Sequence, residues 1–131
     1  MDESTGRCDV LVVDDEEVVR SGVARILSPN GLTVTAVGTA GDAIAHPDLT
    51  RCRLVLCDLM LPDLPGTHVL AALRERGLTT PVVVMTGYLT NDSVAAALAA
   101  GASGVLAKPF DEEELLSEVA RALGAAGGDK P

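Results

Sequence analysis

Four short apolar runs constrain what this chain can fold into. Val10-Leu11-Val12-Val13 stops at Asp14-Asp15, and Leu54-Val55-Leu56-Cys57 stops at Asp58. Val82-Val83-Val84-Met85 stops at Thr86, and Val105-Leu106-Ala107 stops at Lys108-Pro109-Phe110. Runs this short and this rich in β-branched residues, separated by helical patterns, read as buried strands of a parallel sheet. All strands of such a sheet point the same way, so their C-terminal ends share one edge. Beside the point where the strand order switches, that edge is where α/β proteins place their chemistry. Three carboxylates, a hydroxyl and an ammonium are thereby delivered to one small pocket.

The rest of the chain fits that reading. Its 131 residues make one compact domain and are too few for two. Hydrophobic residues are 47% of the total but aromatics only 2%, so the core must be built from Val, Leu, Ile and Ala. A formal net charge of −9 argues against direct nucleic-acid or anionic-membrane binding and suits cationic partner surfaces or metal ions. No run approaches the roughly 20 apolar residues that span a bilayer, and Met1 to Arg7 lacks the apolar stretch of a signal peptide. Cys8, Cys52 and Cys57 have no metal-ligand spacing and read as reduced core residues of a cytoplasmic protein. Because side chains alternate along a strand, Cys57 is expected to face away from Asp58 and pack under a helix.

Between the strands, helical spacing recurs. Val19, Val23, Ile26 and Leu27 form one apolar stripe, ended by Ser28-Pro29-Asn30-Gly31. Leu32-Thr33-Val34-Thr35-Ala36 alternates, which predicts a half-exposed strand at a sheet edge. A short helix follows Thr39 and stops near His46-Pro47. Another runs from about Thr67 to Arg76, with Gly77 as its cap. Thr90 or Asn91 caps a helix over 94–100, and Asp111 with Glu114 starts a last helix whose apolar residues are Leu115, Leu116, Val119 and Leu123. The domain is expected over 8–124, with 1–7 and 125–131 as flexible termini.

Taken singly, the strand-end residues have ordinary structural explanations. Asp14 could cap a helix, Asp15, Glu16 and Glu17 could be first-turn acids, and Lys108 could be a solvated charge. Together they are harder to dismiss. Lys108, one of only two lysines, stands between an apolar strand and a Pro-Phe pair. Three carboxylates on one edge repel unless a cation sits among them, and oxygen ligands without His or Cys favour a hard ion such as Mg²⁺. A divalent ion, an ammonium and a hydroxyl around a carboxylate make a site for a phosphoryl group, with one carboxylate as nucleophile.

This set resembles the receiver domain of bacterial two-component response regulators. The matching stretches are Val12-Val13-Asp14-Asp15-Glu16, Leu56-Cys57-Asp58-Leu59-Met60-Leu61-Pro62, Val84-Met85-Thr86-Gly87 and Ala107-Lys108-Pro109-Phe110, with Gly101-Ala102 before the last strand. All four occur in order across residues 8 to 124. The resemblance implies a doubly wound, flavodoxin-like five-stranded parallel sheet of order 2-1-3-4-5, with helices on both faces. It also implies that Asp58 is the phosphoacceptor, taking its phosphoryl group from a histidine kinase or histidine phosphotransfer protein. Asp15 would ligate Mg²⁺ directly, Asp14 mainly through water, and the backbone carbonyl of Met60 would add a ligand. Thr86 and Lys108 would contact the phosphoryl oxygens, with a cis peptide between Lys108 and Pro109. The protein would then be a cytoplasmic signalling switch that catalyses its own phosphorylation and dephosphorylation, not a turnover enzyme.

One position departs from the pattern. Many receivers carry an aromatic three residues before the lysine that swings inward when the threonine moves; here it is Val105. Tyr88 is the aromatic placed to lie over the pocket and influence readout and phosphoryl lifetime. The Ala-rich helix 94–100, with helix 111–124, offers a face for a homodimer or an output partner. His46 and His68 are expected outside the pocket. Two rival readings compete with this one. A haloacid-dehalogenase-type phosphohydrolase needs a second Asp where Met60 stands. A pseudo-receiver serving only as a docking scaffold is opposed by the complete set Asp14, Asp15, Asp58, Thr86 and Lys108.

Overall fold

The computed structural model describes residues 8–127. Five strands, β1 (Val10–Val13), β2 (Val34–Val37), β3 (Leu54–Asp58), β4 (Val82–Thr86) and β5 (Gly104–Ala107), alternate with five helices. These are α1 (Glu17–Leu27), α2 (Ala40–Ala45), α3 (Thr67–Glu75), α4 (Asn91–Ala99) and α5 (Glu112–Gly127). The strands pair in parallel in the order β2-β1-β3-β4-β5, as the resemblance implies. The order reverses between β1 and β3, which makes the gap beyond their C-terminal ends the switch point.

Every residue of β1, β3 and β4 is buried, which explains why these runs are continuous and not alternating. Alternate side chains serve two cores. Leu11, Val13, Val55, Cys57 and Val84 face α2, α3 and α4, meeting Ala43, Val69, Leu70, Leu73 and Ala97. Val10, Val12, Leu54, Leu56 and Met85 face α1 and α5, meeting Val23, Leu27, Leu115 and Val119. Cys57 thus turns away from the site and packs under α3, as strand alternation predicts.

The helix ends follow local chemistry. Thr39 Oγ1 accepts the Asp42 N–H to start α2. Thr90 and Ser93 form a reciprocal capping box on α4, each backbone N–H bonded to the other's hydroxyl at 3.0 Å. Asp111 and Glu114 do the same for α5. Gly77 has φ +76° just past α3, a left-handed conformation that glycine adopts at no steric cost.

Three boundaries differ from the sequence reading. The edge strand is Val34–Val37, because Thr33 is held by Asp9, whose carboxylate accepts both its N–H and its hydroxyl. The Ala-rich helix begins at Asn91, since the capping box starts it a turn before Val94. The last helix continues through Gly124 to Gly127. Residues 1–7 and 128–131, expected as flexible termini, lie outside the described residues.

Candidate functional site

The strand ends converge as the parallel sheet requires. Asp14 follows β1, Asp58 ends β3, Thr86 ends β4 and Lys108 follows β5. Register ties them together: Val13 lies opposite Cys57, Asp58 opposite Met85, and Thr86 opposite Ala107. Asp14, Asp58 and Thr86 are buried, whereas Asp15 is exposed. Carboxylate oxygens of Asp14, Asp15 and Asp58 lie within 4.8 Å of one another. A cavity of about 290 Å³ opens above them, lined by Asp15, Glu16, Asp58, Met60, Tyr88 and Lys108 among others.

Lys108 clamps the acids. Its Nζ lies 2.6 Å from Asp14 Oδ2, 2.8 Å from Asp58 Oδ2 and 3.4 Å from Glu16 Oε1. Its backbone N–H donates to Thr86 O at 2.8 Å, and the Lys108–Pro109 peptide is cis. Burial alone would lower the lysine pKa. Hydrogen bonds and charge from Asp14 and Asp58 outweigh that and push it up, so the ammonium stays charged. Burial acts on Asp14 in the other direction and raises its pKa, against the pull of Lys108 and the Glu16 N–H.

The remaining oxygens are oriented by backbone amides. Asp14 Oδ1 accepts the Glu16 N–H at 2.8 Å, and Asp58 Oδ1 accepts the Met60 N–H at 2.9 Å. Asp14 Oδ2 has no hydrogen bond of good geometry, only its close ion pair with the lysine. Thr86 Oγ1 accepts the Tyr88 N–H at 2.9 Å, which leaves its own proton to donate.

All six residues singled out from the sequence, Asp14, Asp15, Asp58, Met60, Thr86 and Lys108, therefore gather at one edge. Tyr88, 69% exposed, stands on the rim. His46 caps the turn at Pro47–Thr50 through Nδ1, and neither it nor His68 lines the cavity. Val105 is half-buried and packs on the α2–α4 side of the sheet.

Sequence reasoning missed three positioning residues. Glu16, read as a first-turn acid, reaches Lys108. Asp63, in the loop after β3, accepts N–H bonds from Ala40 and Gly41 at 3.0 and 2.8 Å and so ties that loop to α2. Gly66 lies against the site's own backbone: a Cβ there would sit well inside contact with the Asp58 carbonyl oxygen and 3.1 Å from Cys57 Sγ. The Pro65-Gly66 pair was a signal for a tight turn, though not for this close approach.

Fold and site together define a doubly wound α/β domain with an acidic, lysine-clamped pocket at its switch point. A family model described as the response regulator receiver domain matches residues 10–120. The response regulator MprA of Mycobacterium ulcerans is 39% identical over 114 residues, covering 87% of this chain and 49% of MprA. The sensory transduction protein RegX3 of Mycobacterium tuberculosis is 35% identical over 120 residues, covering 92% and 52%. Among solved structures, a CheY-like receiver domain protein from Methanospirillum hungatei matches with TM-score 0.81 at 29% identity, over 91% of this chain and 95% of that one. CheY4 of Vibrio cholerae matches with TM-score 0.81 at 27% identity, over 88% and 98%. The chain belongs to the response regulator receiver domain family and is a signalling-switch domain of the two-component type. It spans about half the length of the two curated relatives named.

Proposed function

We propose that the domain takes a phosphoryl group from a phosphohistidine of a histidine kinase or phosphotransfer protein onto Asp58, and that phosphorylation switches partner binding. One observation carries the reading: Lys108 Nζ bridges Asp58 Oδ2 and the buried Asp14 Oδ2 at the floor of an open cavity. An Asp58 oxygen attacks phosphorus as the P–N bond to the donor imidazole breaks, and the departing imidazole takes a proton. The Met60 N–H fixes the carboxylate's orientation. Lys108 then pairs with a phosphoryl oxygen, and the Thr86 hydroxyl donates to another.

The donor set fits Mg²⁺. The ligands are all oxygen, and Asp14 Oδ2 is a buried acceptor whose one close neighbour is a cation. Asp14, Asp15, Asp58 and the Met60 carbonyl would hold the ion. When bound, it supplies positive charge against the phosphoryl oxygens.

Next to the pocket, a groove of about 520 Å³ runs along α1 to the start of α5, lined by Val18, Val19, Gly22, Pro109 and Phe110. Val18 is 82% exposed. An apolar surface adjoining the phosphoacceptor suits the donor protein. Output or a homodimer is assigned to the α4–α5 face, where Leu98 is exposed among alanines. No described helix is long and apolar enough to cross a membrane, and a cytoplasmic location accords with a kinase donor.

The test is intact mass after incubation with acetyl phosphate, with and without Mg²⁺, on wild type and Asp58→Ala. A Mg²⁺-dependent gain of one phosphoryl group, lost in the variant, supports the reading. No gain under any condition returns the domain to a docking scaffold.

A further inference from the structure

The sheet edge opposite the pocket brings two thiols together. Cys8 precedes β1 and Cys52 precedes β3, and these strands are parallel neighbours with Val10 opposite Leu54. Carried back two residues before the strands begin, that register sets Cys8 opposite Cys52. The two segments are still hydrogen-bonded one residue before the strands start, where the Arg53 N–H donates to Asp9 O at 3.0 Å. Both thiols are buried in the same apolar cluster, Cys8 Sγ donating to Val10 O at 3.4 Å and Cys52 Sγ to Leu49 O at 3.6 Å. Neighbouring strands lie about 4.8 Å apart, inside the roughly 4.4–6.8 Å Cα separation that a disulfide spans.

We propose that Cys8 and Cys52 form a redox-responsive pair that closes an intramolecular disulfide when a hydroperoxide reaches this edge. Cys8 is the attacking thiol. The neighbouring Cys52 thiol lowers its pKa to about 7 against burial, with Thr35 helping and the Asp48 carboxylate opposing. Cys52, partnered with Cys8 and buried, shifts upward and stays protonated as the resolving thiol. Cys57 takes no part: it lies at the far end of β3, its Sγ against the Gly66 carbonyl, and burial pushes its pKa up. A metal site is the weaker use of the pair. The only cluster of three or more potential ligands among the described residues is Asp14, Asp15 and Asp58.

The chemistry balances. The Cys8 thiolate attacks the peroxide, forming an S–O bond as the O–O bond breaks, and the hydroxide expelled is protonated to water. The Cys52 sulfur then attacks Cys8 sulfur, the S–S bond forms, and the S–O bond breaks. The departing hydroxide takes the Cys52 proton. Two thiols and one hydrogen peroxide give one disulfide and two waters.

The test treats the full chain with hydrogen peroxide near neutral pH, followed by non-reducing intact mass and peptide mapping after alkylation. The expected result is a loss of about 2 Da, a Cys8–Cys52 cross-linked peptide, an alkylated Cys57, and reversal by dithiothreitol. Cys8→Ala and Cys52→Ala should each form no internal link; the wild-type map stands even if a variant folds poorly. Oxygen addition at Cys8 without closure, a link to Cys57, or both thiols still free after peroxide has oxidised a control thiol of similar pKa would overturn the proposal.

Discussion

Replacing Gly66 with alanine tests how closely the position of Asp58, the proposed phosphoacceptor, depends on the loop beside it. The added Cβ would fall more than 1 Å inside the 3.4 Å at which ordinary contact with the Asp58 carbonyl oxygen begins, with the carbonyl carbon at 3.0 Å and Cys57 Sγ at 3.1 Å. Gly66 also donates its N–H to Leu59 O at 2.9 Å, so it cannot simply drift outward. The obstacle is backbone, which no rotamer change relieves. Either the loop or the end of β3 must move by about 1 Å, and the Asp58 carboxylate moves with the latter. Misplacing a reacting group by about 1 Å costs on the order of 10²-fold in rate, or about 2.7 kcal/mol of barrier. Overpacking of this kind also costs about 1–3 kcal/mol in stability. The assay is the initial rate of acetyl phosphate labelling in Mg²⁺, with a thermal melt alongside. Gly22→Ala is the control: its Cβ meets nothing closer than the Arg25 guanidinium at 3.9 Å, and a mid-helix Gly→Ala change should stabilise by about 0.5–1 kcal/mol. Wild-type labelling and wild-type stability in Gly66→Ala would refute the reasoning.

Three further outcomes follow from the site. Burial raises the Asp14 pKa, so its stabilising contribution exists below the unfolded carboxylate range and is lost as pH rises through the elevated folded value. Asp14→Asn should therefore melt higher than wild type at neutral pH without Mg²⁺, yet lose most of the about 2.7 kcal/mol that Mg²⁺ at a hundredfold its dissociation constant gives wild type; calorimetry with and without the ion checks both. Asp63 is shifted the other way, its pKa lowered chiefly by the Gly41 N–H. Its contribution is present above 3.8 and lost as pH falls through the lower folded value, so melts of Asp63→Ala should flatten in that acid window relative to wild type. Tyr88→Ala should shorten the phosphoryl lifetime several-fold by opening the rim to water, read by intact mass after donor removal; unchanged dephosphorylation and unchanged partner binding would exclude that role.

The elements legible from sequence were those whose cause is local. β1, β3 and β4 announce themselves because burial on both faces leaves no room for polar residues. Once they are parallel, Asp14, Asp58 and Thr86 have nowhere to go but one edge. The capping pairs Thr90–Ser93 and Asp111–Glu114 lie within four residues of each other. What escaped the reading depends on approach between distant segments. Asp63 bonds to α2 across 22 and 23 residues. Gly66 matters through its distance to a carbonyl eight positions earlier. Cys8 and Cys52 meet through a register that no spacing in the chain encodes.

The same contrast explains where the fold is under tension. Buried polar groups in this protein are otherwise well served: Asp58 has Met60 and Lys108, Thr86 has Tyr88, and Asp9 has Thr33 and Arg53. Among the described residues, Asp14 Oδ2 is the one buried side-chain oxygen without a hydrogen bond. Burial, with the Asp58 charge adding to it, makes its carboxylate resist ionisation. Natural sequences break the rules of stable folding mainly where function requires it. A single lysine offsets that charge only in part, and the proposed function has a divalent ion and then a phosphoryl group complete the balance. On this account the pocket's instability is the source of its responsiveness: neutralising Asp14 should make a sturdier domain and a poorer switch.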